Sequence, residues 1–339
     1  VPQFVQFGFD DNSISGAEGS GTTGGIRFVQ ELFAGKKNPE GQGRARTFDG
    51  APARTSLYVV TRYIAAPDID SPRFVRAAWR AMADAGHEIA LHTHTHPHGA
   101  ELSTAAWRNE IETCRRWLTT GPESDPASGL GLDVAEIVGF RTPYLEHGKP
   151  LFPALRDAGI SYDCSIEEGF DPQFDAQNFY WPYAIDPSYG GRSSREDVLW
   201  EIPVYALIVP PDAECARYGV EPGLRDRLHA VRDYFNPADG KITGFDWNLW
   251  VEFGMKPEEV VATFRYTLDQ RLHGNRAPLT FGAHSDLYSE QYPETLPTTA
   301  EQRREALLRI VDDALSRPEV RVVSARQLLD WIRDPAPLR

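Results

Sequence analysis

Cysteine is scarce in this sequence, and basic residues are outnumbered. The 339 residues include three cysteines, Cys114, Cys164 and Cys215, which lie far apart and form no C-x-x-C pair. Neither a zinc knuckle nor a disulfide framework is therefore predicted, and the odd count leaves at least one free thiol. Lysine and arginine number 35 against 49 acidic residues, which gives a net charge of −14. This balance argues against nucleic acid as the main partner and suits a neutral substrate or a cationic product.

Long apolar runs and a signal peptide are also missing. No stretch of about 18 apolar residues occurs, so no membrane span is predicted. Because an apparent first strand begins by Phe4 and no leader precedes it, we expect that the native N-terminus was removed, and location has to be inferred from the substrate. With 41% hydrophobic and 25% charged residues, the chain has a soluble globular composition. Its length suits one α/β barrel or two ordinary domains.

A histidine-rich stretch, Gly86 to Ala100, is the most informative part of the chain and holds five of its nine histidines. The apolar run Glu88 to Leu91 ends abruptly in alternating His and Thr, which predicts a short buried strand that delivers imidazoles to a sheet edge. His92 and His96 are four residues apart, so a helical or turn backbone would let both meet one metal ion. If the strand continued instead, His92, His94 and His96 would share one face. A polar surface loop is the other alternative.

A carboxylate pair, Asp10-Asp11, follows the first predicted strand, Gln3 to Phe9. Adjacent side chains on a strand point to different sides, so one carboxylate can ligate a metal while the other stands beside it as a base. Asp-Asp-Asn is also a common turn sequence, which is the structural alternative. A long Gly-rich segment, Ser13 to Asp49, is interrupted by a helical patch at Ile26 to Phe33 and is a candidate substrate wall.

Strand and helix patterns alternate over the whole length, which predicts the α/β class with a parallel sheet or barrel. The further predicted strands are Thr55 to Tyr63, Ile137 to Phe140, Ile160 to Ile166, Leu199 to Val209 and Leu279 to Ala283. The predicted helices are Ser71 to Ala85, one that opens at Ser103, and Leu151 to Ala158. After the strand that ends at Phe140 comes Arg141-Thr142-Pro143-Tyr144, in which Arg141 can hold a carboxylate and Pro143 fixes the direction of the next backbone N–H. A structural salt bridge followed by a turn would give the same sequence.

Together, these motifs resemble those of a known family. Asp10-Asp11, His92-x-x-x-His96-Pro97, Arg141-x-Pro143-Tyr144 and a late His284 have the order and spacing of the NodB-homology polysaccharide deacetylases, carbohydrate esterase family 4. Other segments are similar to the arthropod chitin deacetylases: Phe33 to Gln42, Arg141 to Gly148, Trp181 to Tyr183, Asn275 to Leu279 and Val322 to Pro335. The resemblance covers essentially the whole chain. It implies a distorted (β/α) barrel in a single catalytic domain, 1–339, with an elaboration at about 167–274.

The resemblance also implies a role for each motif residue. The implied ligands of a divalent metal ion, usually zinc with cobalt or manganese as alternatives, are Asp11, His92 and His96. Asp10 matches the general base and His284 the general acid. Arg141 matches the residue that tethers the base, and Tyr144 the source of an oxyanion-hole N–H. Asp163 is the expected partner that tunes His284.

These roles suit the hydrolysis of N-acetyl groups from a chitin-like polymer or oligosaccharide, with release of acetate. Two histidines and one aspartate leave positions open on a zinc ion for a water and the acetyl carbonyl, and the ion lowers the pKa of that water from about 15.7 toward about 7. Asp10 can then take the proton of the water. His284, held protonated by a carboxylate, can give one to the amine that leaves.

Three features depart from the family pattern. Asn12 replaces the glycine that commonly follows the paired aspartates. Gly282 replaces a leucine that lines the acetyl-methyl pocket, so we expect a wider pocket. The cysteines that staple the arthropod enzymes are absent, with Gln42 at one such position. A secreted or periplasmic location is nevertheless expected, because the implied substrate is a polysaccharide.

The predicted substrate contacts are mostly aromatic and come from the elaborated segment. Trp181, Trp247 and Trp250 are candidates to stack on sugar rings, with core packing as the alternative, and Tyr144 and Gly282 complete the set. The histidines predicted to take no part are His94, His98 and His147. Two other functions stay open. One is a related hydrolase of O-acetyl esters or small cyclic amides, and the other is a catalytically silent carbohydrate-binding protein.

Overall fold

A mostly parallel sheet, curled into a distorted half-barrel with helices packed against it, forms the centre of the molecule. The computed structural model describes residues 1–40, 47–186 and 198–338, so Gln42 lies outside the described residues. The α/β class and the barrel-like architecture expected from the sequence are confirmed. Cys114, Cys164 and Cys215 are buried and free. In the described ranges, no helix combines the length and the apolar character that crossing a membrane requires.

The strands of the described residues include long and very short ones. They are β1 (Gln3–Asp10), β2 (Ser56–Val59), β3 (Glu88–Leu91), β4 (Gly139–Phe140), β5 (Tyr162–Asp163), β6 (Glu167–Glu168), β7 (Tyr183–Ala184), β8 (Trp200–Glu201), β9 (Val204–Tyr205), β10 (Leu207–Ile208), β11 (Lys241–Ile242), β12 (Leu279–His284) and β13 (Val320–Val322). The main sheet has the order β12-β1-β2-β3-β4-β5-β8-β7, with β13 also paired to β1. Only β7 pairs antiparallel in it, as far as the described residues show.

The helices alternate with these strands along most of the chain. They are α1 (Gly25–Phe33), α2 (Arg62–Ala65), α3 (Pro72–Asp84), α4 (Thr104–Leu118), α5 (Leu151–Asp157), α6 (Asp212–Tyr218), α7 (Leu224–Val231), α8 (Pro257–His273), α9 (Ala300–Leu315) and α10 (Ala325–Arg333). Short 3-10 turns occupy Pro126–Ser128, Val134–Glu136, Pro143–Leu145 and Ser285–Tyr288, and one π-helical turn occupies Asn248–Glu252.

Strand β1 pairs with three other strands, and all of its residues are buried. It pairs in parallel with β12 so that Asp10 lies opposite His284, and its other edge pairs with β2 and β13. Parallel strands all end at the same edge of a sheet, so the ends of β1, β3, β4 and β12 deliver their next residues to one place. The topology of the sheet therefore brings the residues with predicted chemical roles to this edge: Asp10, His92, Arg141 and His284.

Helix α3 connects the core to this edge. Its buried residues, Val75, Trp79 and Met82, are spaced by four and three positions and form one apolar stripe. The indole Nε1 of Trp79 donates a hydrogen bond of 3.0 Å to the carbonyl of Asn12. The same stripe that packs the helix therefore also fixes the turn after β1.

Several predicted strands differ in extent from the structure. The strands expected from Ile137 to Phe140 and from Ile160 to Ile166 are shortened to β4 and β5. The strand expected to run to Tyr63 ends at Val59, and the chain turns directly into α2. The continuous strand expected from Leu199 to Val209 is divided into β8, β9 and β10, which pair with three different partners. Pro203 lies between the first two pieces, and proline cannot donate to a strand ladder.

The edge of β12 that faces away from β1 forms hydrogen bonds with two other segments of the chain. The hydroxyl of Thr280 donates to the carbonyl of Pro203 at 2.9 Å and accepts from the N–H of Tyr205 at 3.1 Å. Further along, the N–H of Gly282 donates to the carbonyl of Gly244 at 2.7 Å, and Phe245 forms a parallel bridge with Gly282. Residues 244–246 therefore run directly beside the end of β12.

Candidate active site

A cavity of about 850 Å³ opens at the carboxyl edge of the sheet. Its lining includes the side chains singled out in the sequence as carboxylates and imidazoles with a chemical role: Asp10, Asp11, His92, His96 and His284. The structure therefore brings together residues that are up to 274 positions apart in the chain.

Asp11, His92 and His96 form a group with converging ligand atoms, all within 4.8 Å of one another. The Nε2 atoms of His96 and His92 lie 3.2 Å and 3.7 Å from Asp11 Oδ1. This buried oxygen accepts no hydrogen bond from any described residue, and a buried polar atom without a partner is costly. Two imidazoles and a carboxylate suit Zn²⁺, Co²⁺ or Mn²⁺. The three residues therefore fit a divalent ion.

The backbone of this group is held in unusual conformations. Asp11 has a φ of 63° and His96 a φ of 58°, values in the left-handed region that cost non-glycine residues about 1–3 kcal/mol. The His96 turn is supported by a hydrogen bond of 3.1 Å from its N–H to the Thr93 hydroxyl. Because β3 ends at Leu91, the histidines do not continue on a strand. His94 instead lies 2.9 Å from the Thr61 hydroxyl, outside the ligand group.

The protonation of His92 is set by its surroundings. Its Nδ1 donates to the carbonyl of Arg141 at 2.8 Å, so Nε2 is the nitrogen that faces Asp11. Burial lowers the pKa of His92 to about 4, which keeps the ring neutral, as a metal ligand must be. Burial by itself would raise the pKa of Asp11, but His96, His284 and His92 hold it below the ordinary value.

Asp10 is bound by a buried guanidinium. Arg141 Nη1 donates to Asp10 Oδ1 at 2.6 Å, and the Arg141 side chain is only 1% exposed. Its other nitrogens donate to the carbonyl of Cys164 at 2.9 Å and to the Cys164 sulfur at 3.0 Å, and Cζ lies 4.1 Å from the centre of the Tyr58 ring. The contact expected between Arg141 and the carboxylate pair is thus present, and it leaves Asp10 Oδ2 toward the ligand group, 3.9 Å from His92 Nε2.

His284 is bound by Asp246, a residue not anticipated from the sequence. The Nδ1–H of His284 donates to Asp246 Oδ1 at 2.8 Å, and its backbone N–H donates to Oδ2 at 3.0 Å. Burial lowers the pKa of His284, but Asp246, followed by Asp11 and Asp10, outweighs burial and raises this pKa to about 9. The ring is therefore cationic at neutral pH in this charge environment, with Nε2 free to act in the cavity.

The prediction that Asp163 is the partner of His284 is wrong. Asp163 ends β5, five positions from β12 in the sheet, and it accepts a hydrogen bond of 2.6 Å from the Ser165 hydroxyl. Its Cα is paired with that of Glu201 on β8. The sequence offers one weak signal for Asp246 as the partner of His284, because Asp246 adjoins the candidate substrate contact Trp247. A choice between Asp163 and Asp246 requires knowing which segment runs beside β12.

The aromatic predictions divide into two groups. Trp247, 39% exposed, and Tyr144, 57% exposed, both line the cavity. Trp250 is 1% exposed and belongs to the core, so it offers no face to a substrate. Trp181 also fails as a substrate contact, because it is outside the cavity lining, donates to the carbonyl of Asn275 at 3.2 Å and packs near Trp331.

Tyr144 lies in a short turn at the edge of the cavity. Its φ of 57° is left-handed, within the 3-10 turn Pro143–Leu145. The first N–H groups of such a turn have no acceptor within it, which suits an oxyanion donor. The Tyr144 ring stacks on His98 with centroids 4.2 Å apart, so His98, although predicted to take no part, supports the cavity rim.

The wider pocket expected at Gly282 is not found. A Cβ atom on Gly282 would lie 2.5 Å from the Phe245 ring, so that ring already fills the space. Gly282 therefore presents no open pocket to a substrate, and Phe245 is a cavity residue that the sequence did not reveal. Asn12, the other departure, is buried and donates to the carbonyls of Phe9 and Tyr58 at 2.7 Å and 3.1 Å, so it has a structural role.

The curled, mostly parallel sheet matches the NodB-type fold. The polysaccharide deacetylase family profile matches residues 46–162, so this part of the chain is similar to that family.

Individual proteins also resemble this chain in sequence or in fold. The chain is 23% identical to chitin deacetylase 8 of Bombyx mori over 353 aligned positions, which span all of this chain and 72% of that protein. A Mycobacterium smegmatis structure described as a polysaccharide deacetylase superposes with a TM-score of 0.59 at 16% identity, covering 100% of this chain and 93% of that one. A Pseudomonas aeruginosa structure of the same description gives a TM-score of 0.54 at 15% identity, with 98% and 92% covered. These structures are similar in fold.

Proposed function

We propose that the protein hydrolyses N-acetyl groups of a polysaccharide or oligosaccharide that contains N-acetylglucosamine, with the help of one divalent metal ion, and releases acetate. The observation that carries this proposal is the convergence in one cavity of a metal-ligand group, a tethered carboxylate and an imidazole paired with a buried aspartate. An amide needs all three, because its carbonyl is unreactive and its amine is a poor leaving group.

Asp11, His92 and His96 would hold the ion. A bound Zn²⁺, Co²⁺ or Mn²⁺ ion would polarise the acetyl carbonyl and lower the pKa of a water molecule. The Nδ1 contact of His92 with the Arg141 carbonyl, 2.8 Å long, keeps its Nε2 aimed at the ligand position. Ligand orientation of this kind matters for metal affinity by about 10- to 100-fold.

Asp10 would be the general base. Its Oδ1 is committed to Arg141 at 2.6 Å, whereas Oδ2 faces the ligand group and is the oxygen that can take a proton from water. Arg141 has every side-chain nitrogen engaged, so it fixes the carboxylate rather than contacting a substrate. The base is therefore oriented before a substrate arrives.

His284 would be the general acid. Asp246 holds its Nδ1–H at 2.8 Å, which leaves Nε2 to give a proton to the amide nitrogen as the C–N bond breaks. The N–H of Tyr144 would stabilise the negative charge on the carbonyl oxygen. The pairing of His284 with Asp246 favours an amide substrate over an ester, because an alkoxide needs this proton less.

The carbohydrate part of the proposal is supported by the family and by the rim of the cavity. Tyr144 and Trp247 expose ring surface beside the chemical groups, and such faces suit sugar rings. The similarity to a protein named chitin deacetylase points to N-acetylglucosamine. Because such polymers are extracellular, a secreted or periplasmic location belongs to the same proposal.

The test is acetate release from N-acetylglucosamine oligomers, with acetylxylan and peptidoglycan in parallel and with metal content measured on the same preparation. His92→Ala should lose both metal and activity. His229→Ala is the matched control, because His229 lies on α7 and contacts the Phe235 carbonyl at 2.8 Å. Stoichiometric metal in His92→Ala would refute the ligand assignment. Acetate from acetylxylan alone would identify an O-acetyl esterase, and oligosaccharide binding without acetate would identify a silent binding protein.

A further inference from the structure

One side chain supplies the buried apolar surface of the cavity among the described residues. Among the described residues that line the cavity, Phe245 is the apolar one that is buried, with 5% exposure. Ile69 at 41% and Trp247 at 39% are exposed and belong to the rim. Phe245 therefore offers a buried apolar surface to an apolar group that enters the cavity, in addition to the half-buried Leu145.

Phe245 lies beside His284 and beside the arginine that binds Asp10. Its ring centroid is 5.7 Å from that of His284. Arg141 Cζ lies 5.1 Å from the Phe245 ring centroid, and Arg141 is bonded to Asp10. An acyl carbon attacked between Asp10 and His284 has its alkyl substituent within a few bond lengths of these groups, and the Phe245 ring offers a buried apolar surface beside them.

The ring occupies this position because its neighbour has no side chain. Phe245 is bridged to Gly282, and a Cβ atom on Gly282 would lie 2.5 to 2.6 Å from three atoms of the ring. On another side the ring contacts the guanidinium of Arg141, which is held by Asp10 and Cys164. Phe245 is thus fixed on two sides, and it takes the volume that a side chain at position 282 would fill.

We propose that Phe245 determines acyl-group specificity: its ring, which fills the space beside Gly282, closes the acyl pocket so that acetyl fits and longer acyl groups do not. This inference rests on the proposed function, since it concerns the acyl group that the same site would hydrolyse. The ring is packed between Gly282 and Arg141, so an extra methylene placed against it has no space without displacing Phe245 from Arg141.

The test uses glucosamine oligomers carrying N-acetyl, N-propionyl or N-butyryl groups, which share one leaving group. The wild type should prefer acetyl to propionyl, since one methylene in such a pocket is worth about 10- to 200-fold in kcat/KM. Phe245→Ala should raise the propionyl to acetyl ratio of kcat/KM by about tenfold or more. Phe245→Leu should give an intermediate ratio.

A double variant tests whether a side chain on β12 can replace the Phe245 ring in closing the acyl pocket. Phe245→Ala with Gly282→Leu returns apolar volume from β12 and should restore the preference for acetyl. Gly282→Leu alone forces the Phe245 ring against Arg141 and should lower kcat/KM for every acyl group. Phe281→Ala is the matched control, because Phe281 packs against Phe7 and Phe264 in the core. It should lose thermal stability while keeping the wild-type acyl ratio.

The outcomes separate this inference from the proposed function. A folded, metal-loaded Phe245→Ala protein with the wild-type ratio would overturn the specificity role, as would a wild type indifferent to acyl length, while leaving the deacetylase proposal intact. A wild type that cleaves none of the three amides would overturn both. If Phe245→Ala and Phe245→Leu lowered kcat/KM by the same factor for all acyl groups, Phe245 would only hold Arg141 in position and would not determine acyl specificity.

Discussion

His284 and Asp246 are joined by two hydrogen bonds, one from the imidazole Nδ1–H at 2.8 Å and one from the backbone N–H at 3.0 Å. Asp246 is fully buried, so its charge is poorly screened and acts strongly on the ring. The backbone contact also ties the segment of residues 244–246 to the end of β12. One carboxylate therefore sets the tautomer, the orientation and the proton affinity of the imidazole.

The first prediction concerns the basic limb of the pH–rate profile. An acid acts while protonated, so activity should fall as pH rises through the pKa of His284, raised in the structure to about 9. A bound cation near Asp11 lowers this value, because it cancels a negative charge that contributes to it. Asp246→Asn removes the largest raising influence, so the basic limb should move to lower pH, toward the ordinary imidazole value of about 6.5, and kcat/KM at pH 8 should fall by about 10- to 100-fold.

Asp163→Asn is the control for this experiment. Asp163 contacts Ser165 and not His284, so its replacement should leave the basic limb where it is in the wild type. A limb that moves in Asp163→Asn but not in Asp246→Asn would reinstate the assignment made from the sequence and remove Asp246 from the mechanism.

The second prediction separates the adjacent carboxylates. Asp10→Asn can still accept from Arg141 but cannot take a proton, so metal should stay bound while kcat falls by about 10²- to 10⁴-fold. Asp11→Asn removes a charged ligand and should weaken metal binding itself. Metal content by elemental analysis and acetate release should be measured on both variants. Equal metal loss in the two would show that the division of roles is incorrect.

Much of this site follows from local sequence patterns. In β1, β3 and β12 an apolar run stops at a polar residue, and this pattern predicts where each strand ends. The parallel topology of the sheet then brings Asp10, His92 and His284 to one edge. The i to i+4 spacing of His92 and His96 needs a turn, and β3 does end at Leu91. Local pattern and sheet topology are thus sufficient for the ligand group.

The parts that could not be predicted depend on contacts between distant segments. Asp163 and Asp246 are both buried aspartates, and nothing in residue type shows which segment runs beside β12. Trp250 and Trp247 are three positions apart but differ in exposure, because the π-helical turn that begins at Asn248 buries only one of them. From the sequence alone, the absence of a side chain at position 282 suggests an open space. In the structure, the Phe245 ring fills that space.

The third prediction concerns stability and comes from the corrected role of Asp163. One oxygen of each carboxyl in this pair, Asp163 Oδ2 and Glu201 Oε2, receives no hydrogen bond from the described residues. The other oxygen of Glu201, Oε1, accepts from the N–H groups of Ser165 and Ile166. Burial raises the pKa of both carboxyls, that of Glu201 well above its ordinary value. The folded protein therefore binds more protons than the unfolded chain, and this pair costs stability increasingly as pH rises above the unfolded carboxyl pKa of about 4.3.

Glu201→Gln cannot ionise, and its amide N–H can donate to Asp163. The variant should be more stable than the wild type by about 1–3 kcal/mol at pH 8, and the difference should shrink toward pH 4. Thermal or urea unfolding across this range measures it. Ser165→Ala, which removes the Asp163 contact of 2.6 Å, should destabilise the protein instead. A stability difference for Glu201→Gln that is the same at every pH would contradict the buried acid pair.

The last prediction tests His284 by the chemistry of the leaving group. In His284→Ala the amine of an amide would have to depart without a proton, whereas the phenolate of an activated aryl acetate departs readily without one. Loss of kcat/KM should therefore be about 10²- to 10⁴-fold on N-acetyl substrates and much smaller on the aryl acetate. The basic limb should also disappear on the amide, because no imidazolium is left to deprotonate. If His284 only packed the end of β12, both substrates would lose a similar factor through a shifted strand or ligand group. A loss that does not depend on the substrate, with the basic limb retained, would exclude His284 as the acid and favour an esterase or binding role for the cavity.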